Sequence, residues 1–159
     1  MLLNIAIVDA LARAAGKRYS TFDVVGAGPR IVAGIVEKYS EVDFYPYENA
    51  IKRRRRLLSY DIVMISAMSS DIIAVSKLVN SLRELGYRGL IILGGPISFE
   101  YEKLLMELPI DLVVVGEAEI PLMKLMPLLK NSSSNFSSVP ALAYRDSGQV
   151  KITSKHMHT

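Results

Sequence analysis

Five short strand-like runs, four of them nearly continuous in apolar residues and each separated from the next by a stretch of helical periodicity, constrain this chain more than any other feature. They occupy residues 4–10, 42–47, 61–68, 90–93 and 111–115. Runs such as Leu90-Ile91-Ile92-Leu93 lack the polar alternation of a half-exposed strand. Strands covered on both faces look like this, which predicts a parallel sheet with helices on each side. The helices are expected over 29–39, 49–58, 70–85, 99–108 and 120–129. In the longest, Ile72, Ile73, Val75, Val79, Leu82 and Leu85 share one face and Gly86 supplies the stop. Pro29 suits a first turn, where its missing N–H costs nothing, and Pro127 should bend or end the last helix.

Strand and helix in strict alternation predict an α/β fold, a doubly wound five-stranded parallel sheet in the flavodoxin-like order 2-1-3-4-5. Residues 1–130 make up this domain. A serine-rich linker follows at 131–138, then a small C-terminal β-hairpin (141–144, the turn Asp146-Ser147-Gly148, 150–153) and a tail, together filling 131–159. The connection at 11–28 is far longer than the usual ~2–6 residues between a strand and its helix, and long loops are often functional.

Composition narrows the chemistry. There is no cysteine, which removes disulfides, thiolate metal sites, cysteine nucleophiles and cysteine-held iron–sulfur clusters from this chain. Both histidines, His156 and His158, lie in the tail, so neither a histidine-rich metal site nor a Ser/His/Asp constellation is available. No apolar run approaches the ~20 residues of a spanning helix. The first residues read as a strand rather than a signal peptide, so a cytoplasmic location is expected.

In an open parallel sheet the ligand lies beyond the carboxyl ends of the strands. Those ends carry Gly26-Ala27-Gly28, then Ser66-Ala67-Met68-Ser69-Ser70, then Gly94-Gly95-Pro96, then Gly116-Glu117-Ala118-Glu119. Each glycine has an ordinary turn or helix-entry explanation. Gathered at one edge of one sheet, they leave room for something bulky to approach the backbone. Several nucleotide and phosphoacceptor readings fail. Gly26 and Gly28 are followed by Ile31 where a dinucleotide fingerprint needs a third glycine, no Gly-Lys-Ser/Thr is present, and the third strand ends without an aspartate. Asp9, Glu117 and Glu119 could form a carboxylate cluster, although helix-capping and first-turn roles explain the two glutamates equally well.

The pattern of strand ends resembles the cobalamin-binding domain. That family carries Asp-x-His-x-x-Gly after its first strand, Ser-x-Leu or similar after the third and Gly-Gly after the fourth. Here Asp23-Val24-Val25-Gly26-Ala27-Gly28, Ser66-Ala67-Met68 and Gly94-Gly95-Pro96 stand at those places. With Gly116-Glu117-Ala118-Glu119 and the hairpin after Pro140, the chain looks most like the cobalamin-binding domain at the N-terminus of radical S-adenosylmethionine (radical SAM) proteins.

The resemblance implies a non-catalytic chain that binds cobalamin through Asp23, Val25, Gly26, Gly28, Ser66, Met68, Ser69, Gly94, Gly95, Pro96, Gly116 and Glu117. Ser66 would meet the tail, Gly94 and Gly95 would keep the tail slot open, and a helix beginning near Ser70 would favour the tail phosphate. Val25, Ala27 and Met68 would lie under the corrin. Val25 replaces the family's axial histidine, as in many radical SAM members, so cobalt is expected to have no protein ligand. An iron–sulfur cluster and S-adenosylmethionine would belong to a downstream radical SAM domain, with methyl transfer as a candidate reaction.

The alternatives are a protein- or nucleic-acid-interaction module of the same fold that binds no corrin, and a small nucleotide-binding domain using Gly26–Gly28. The basic run Lys52-Arg53-Arg54-Arg55-Arg56 reads as a solvated helix face, so a nucleic-acid partner is not expected.

Overall fold

The computed structural model of the chain describes residues 3–11 and 27–154. In chain order it comprises β1 (Leu3–Asp9), α1 (Ala27–Val36), β2 (Ser40–Pro46), α2 (Tyr47–Lys52), α3 (Arg54–Leu57), β3 (Ile62–Ser66), α4 (Ile72–Glu84), β4 (Leu90–Gly94), α5 (Tyr101–Glu107), β5 (Leu112–Val114), α6 (Glu119–Lys130), β6 (Leu142–Asp146) and β7 (Gln149–Ile152). The sheet order is β2-β1-β3-β4-β5-β6-β7. Its first five strands are parallel, in the order the alternation predicts.

Each central strand feeds two cores. Ile5, Ile7, Ile62, Met64 and Ile92 pack with Ala33 and Val36 of α1 and with Leu122, Leu125 and Met126 of α6. Their neighbours Ala6, Val8, Val63, Ile65, Ile91 and Leu93 face the other way, onto Ala50, Leu57, Val75, Leu78, Leu82 and Leu104. Burial on both faces is why these strands read as unbroken apolar runs.

The hairpin is not a separate appendage. β6 pairs antiparallel with β5 through Leu112↔Tyr144, Val113↔Ala143 and Val114↔Leu142, and β7 pairs with β6, so both extend the same sheet. β5 has only three residues, and its outer edge would otherwise present unpaired backbone groups. Leu142 and Ala143 are fully buried there.

Some boundaries differ from the expected ones. The basic helix is broken into α2 and α3 at Arg53, whose φ of −112° and ψ of 30° leave the helical region. The strand expected to reach residue 68 ends at Ser66, and α4 starts at Ile72 after a 3-10 turn, Ser69–Asp71. There the Met68 N–H donates to the buried Asp71 carboxylate at 2.8 Å, which holds Met68 extended. Pro127 lies inside α6, whose span Glu119–Lys130 is close to the expected 120–129, and Leu125, Met126 and Leu129 anchor that stretch in the core.

Two arginines pin the β4–β6 side. Arg83 donates to the carbonyls of Pro109, Tyr87 and Gly89 and to the Asp111 carboxylate. Arg145 donates to the carbonyls of Leu105, Leu108 and Ile110.

Candidate functional site

The register aligns the carboxyl ends of three strands. Asp9 stands opposite Ser66, and Ser66 opposite Gly94. Beyond them the turns lock together. The Ala67 N–H donates to the Gly94 carbonyl at 3.2 Å, and the Ile97 N–H to the Ala67 carbonyl at 3.0 Å. Between these bonds Gly95 takes a φ of +88°, a conformation that glycine adopts without a steric penalty. Pro96 then opens the 3-10 turn Pro96–Glu100. Buried Ser98 in that turn accepts the Gly116 N–H on its hydroxyl at 3.0 Å, joining the β4 end to the β5 end.

These ends frame a cleft of about 320 Å³, lined by Gly28, Ile31, Ser66, Gly95, Pro96, Gly116, Glu117 and Glu119 among others. At its floor a narrow slot of about 30 Å³ runs between the sheet (Met64, Ile92, Gly94, Val114) and the helices (Val32 of α1, Leu122 of α6). Val32, Ser66, Gly95 and Ala118 line both, so cleft and slot are continuous. A β-carbon built on Gly94 would meet nothing within 4 Å.

Of the residues singled out in the sequence, the fold brings Gly28, Ser66, Gly95, Pro96, Gly116 and Glu117 onto the cleft, and Gly94 onto the slot. Met68 and Ser69 are exposed on the neighbouring turn and line neither. Asp23, Val25, Gly26 and most of the 11–28 connection lie outside the described residues. The carboxylates do not gather: Asp9 is fully buried, and among the described residues no three acidic or histidine groups approach as a metal site would need. A phosphate site near Ser70 is disfavoured, because the Asp71 carboxylate already caps that turn with negative charge.

Sequence reasoning missed the helical wall. Ile31, Val32, Ala118 and Leu122 close the site from the side opposite the strand ends, and Ile31 is 52% exposed although it belongs to the apolar face of α1. No sequence signal marks these residues, which read in the sequence as ordinary core positions. Ser98 gave none.

The family model of the B12 binding domain matches residues 3–126. The chain belongs to the B12-binding domain family. Among curated proteins, this B12-binding domain is 40% identical over 122 residues to an uncharacterized protein of Methanocaldococcus jannaschii and 35% identical over 127 residues to one of Methanopyrus kandleri. Those stretches cover 76% and 79% of this chain but only 23% and 24% of the relatives, so the domain spans about a quarter of the curated proteins it matches. Among solved structures it superposes on TsrM from Kitasatospora setae, a radical S-adenosylmethionine methyltransferase with cobalamin and a [4Fe-4S] cluster bound. The TM-score is 0.77 at 13% identity, over 100% of this chain and 30% of TsrM. It also superposes on apo OxsB, a cobalamin-dependent S-adenosylmethionine radical enzyme, with a TM-score of 0.69 at 19% identity, over 99% of this chain and 23% of OxsB. These likenesses establish the fold of the B12-binding domain, antiparallel edge included. Among the described residues no helix is long and apolar enough to cross a membrane.

Proposed function

We propose that this B12-binding domain holds cobalamin with its corrin across the carboxyl ends of β1, β3, β4 and β5 and its nucleotide tail directed into the slot beside Gly94. The observation that carries this reading is the open space over Gly94 in the slot, which joins the cleft at Ser66 and Gly95. The Ser66 hydroxyl, half-buried at that junction, is placed to hydrogen-bond a tail group. Gly95, Pro96 and Gly116 would let the corrin edge approach the backbone, with Gly28 and Glu117 at the rim. Asp23, Val25 and Gly26 would complete the site from the 11–28 connection. Met68 and Ser69 would reach the corrin from the adjacent turn.

The slot is narrow. It has the volume of about one or two waters, and a nucleotide base is far larger. Loading therefore requires α1 and α6 to part from the sheet. When bound, cobalamin supplies a cobalt centre able to carry a one-carbon group. The chain's own part is to hold and orient the corrin, leaving its upper face free for a partner domain. We place that partner in a longer protein, as a radical SAM domain bringing its own iron–sulfur cluster and S-adenosylmethionine. The lengths of the curated relatives and the fold shared with TsrM and OxsB support this.

The test is direct. The purified chain is incubated with hydroxocobalamin, desalted, and examined by visible spectroscopy and calorimetry. Retained corrinoid absorbance with a saturable heat is expected. A colourless protein that gives no heat would falsify the reading.

A further inference from the structure

The slot beside Gly94 offers a ligand almost nothing polar. Val32, Met64, Ile92, Val114 and Leu122 supply its walls, and Ser66 is the one lining residue with a polar side chain. The backbone around it is engaged as well. β4 pairs with β3 as far as Gly94 and with β5 at Ile92 and Leu93. The carbonyls of Gly94, Gly95 and Ala118 accept the N–H groups of Ala67, Ser98 and Leu122. The Ser66 carbonyl accepts the Ala10 N–H, whereas the Ser66 hydroxyl makes no hydrogen bond among the described residues. The slot therefore has one unpaired polar group, at its mouth.

Corrinoids share the corrin ring and differ in the base that ends the nucleotide tail. In a benzimidazole the six-membered ring is all carbon. Adenine has nearly the same fused-ring outline, but its six-membered ring carries two acceptor nitrogens and an amino group. Each base also keeps one free nitrogen on its five-membered ring, which a single hydroxyl can satisfy. Adenine would take three further polar groups out of water and into walls that offer them no partner. Burying carbon against such walls is favourable, and burying an unpaired polar group is not.

We propose, resting on the cobalamin reading above, that the slot selects among corrinoids by the polarity of the lower base: it takes an apolar base such as a benzimidazole and rejects a purine. Ser66 meets the ring nitrogen that both bases share. Met64, Ile92 and Val114 on the sheet and Val32 and Leu122 on the helices do the rejecting. These walls stay apolar however far α1 and α6 lift, so the preference does not depend on the width of the opened slot.

The probes are benzimidazolylcobamide, adeninylcobamide and cobinamide, which has the corrin but no nucleotide. Their affinities for the chain are measured by calorimetry, each corrected for the fraction of the free cobamide whose base is off cobalt. Adeninylcobamide is expected to bind about 10- to 100-fold more weakly than benzimidazolylcobamide, the cost of a single unpaired polar group. Cobinamide should also bind at least ~10-fold more weakly, having no base to bury. Met64→Gln puts an amide into the wall and should narrow the gap between the two bases by at least ~3-fold. Val114→Thr adds a hydroxyl at nearly constant shape and should narrow it in the same direction. Thermal melts establish that each variant is folded, and the comparison on the parent chain decides even if neither is. Equal affinities for the two bases, or a gap that folded variants leave unmoved, overturns the selection and leaves cobalamin binding in place. Cobinamide binding as tightly as benzimidazolylcobamide removes the base from the slot and overturns it too. No binding by any of the corrinoids overturns the cobalamin reading itself, and the selection with it.

Discussion

A β-carbon at Gly95 would lie 2.9 Å from the carbonyl oxygen of Ala67. With a φ of +88° as well, Gly95 is required by the backbone whether or not a ligand is bound. Gly94, one residue earlier, has open space above it. The two glycines should therefore separate folding from binding. Gly95→Ala is expected to lower stability by about 2–4 kcal/mol, from strain and a backbone clash together. Gly94→Val should change stability by roughly 0–1 kcal/mol, valine being at ease in a strand. It should also weaken cobalamin at least ~100-fold, about 2.7 kcal/mol. Denaturant titration and calorimetry on both variants check this, and a Gly94→Val protein that binds like the parent excludes the slot as the tail's path.

Ser98→Ala tests the link between the β4 and β5 ends. It removes the acceptor of the Gly116 N–H and should cost about 1–2 kcal/mol in urea unfolding. Cobalamin affinity should fall as well, because Gly116 lines the cleft. A variant as stable as the parent would show that water replaces the hydroxyl without loss.

Arg145→Met should cost about 2–4 kcal/mol by orphaning three carbonyls at the end of α5 and in the turn after it. Lys151→Met breaks only the exposed pair with Asp146 and should leave the melting temperature within error. Asp146, held below the usual carboxylate range by the Lys151 hydrogen bond, is too solvated to matter more. Equal effects from the two substitutions would refute the assigned roles.

Three tyrosines set the alkaline limit. Burial, with the Glu48 charge nearby, pushes the Tyr47 phenol up to about 12. Burial raises Tyr60, helped by its hydrogen bond to Asp43, and burial raises Tyr87 despite Arg83 beside it. The unfolded chain loses these protons near the ordinary value of 10.0 while the folded chain keeps them. Their contribution is complete below that pH and declines as pH rises toward and through the folded values. Absorbance at ~295 nm followed with circular dichroism should show these phenols ionising only as the fold is lost. Ionisation near pH 10 in an intact fold would contradict the burial argument.

Cobalt is expected to lack a protein ligand on its lower face, because the resemblance to the cobalamin-binding family puts Val25 where that family has its axial histidine. The cob(II)alamin complex should show no nitrogen splitting in its axial electron paramagnetic resonance lines. A splitting that persists in a chain truncated before His156 would require another nitrogen donor.

The strand ends were legible in the sequence because β1, β3, β4 and β5 are nearly continuous apolar runs and the turns after β3, β4 and β5 are rich in small residues. Ser66, Gly94 and Gly116 could therefore be placed at one edge without coordinates. The helical wall was not legible, since Val32 and Leu122 look like any other core residues until α1 and α6 are packed on one face. Nor could periodicity show that Gly95 serves the fold and Gly94 the opening, because the difference lies in a contact with Ala67 nearly thirty positions away. The basic run reads as a solvated helix face, and residues 52–56 are all exposed; what periodicity could not show is the break at Arg53.

The guanidiniums of Arg83 and Arg145 give the domain unequal stiffness. Between them they fasten seven acceptor groups from Tyr87 to Asp111, riveting the chain before β4 and β5 to α4 and β6. A wedge driven into the slot therefore presses on an anvil. The arginine bonds lie at the amino ends of β4 and β5, opposite the edge that would bear the corrin, so widening the slot would lift α1 and α6 from a sheet held firm at its far end.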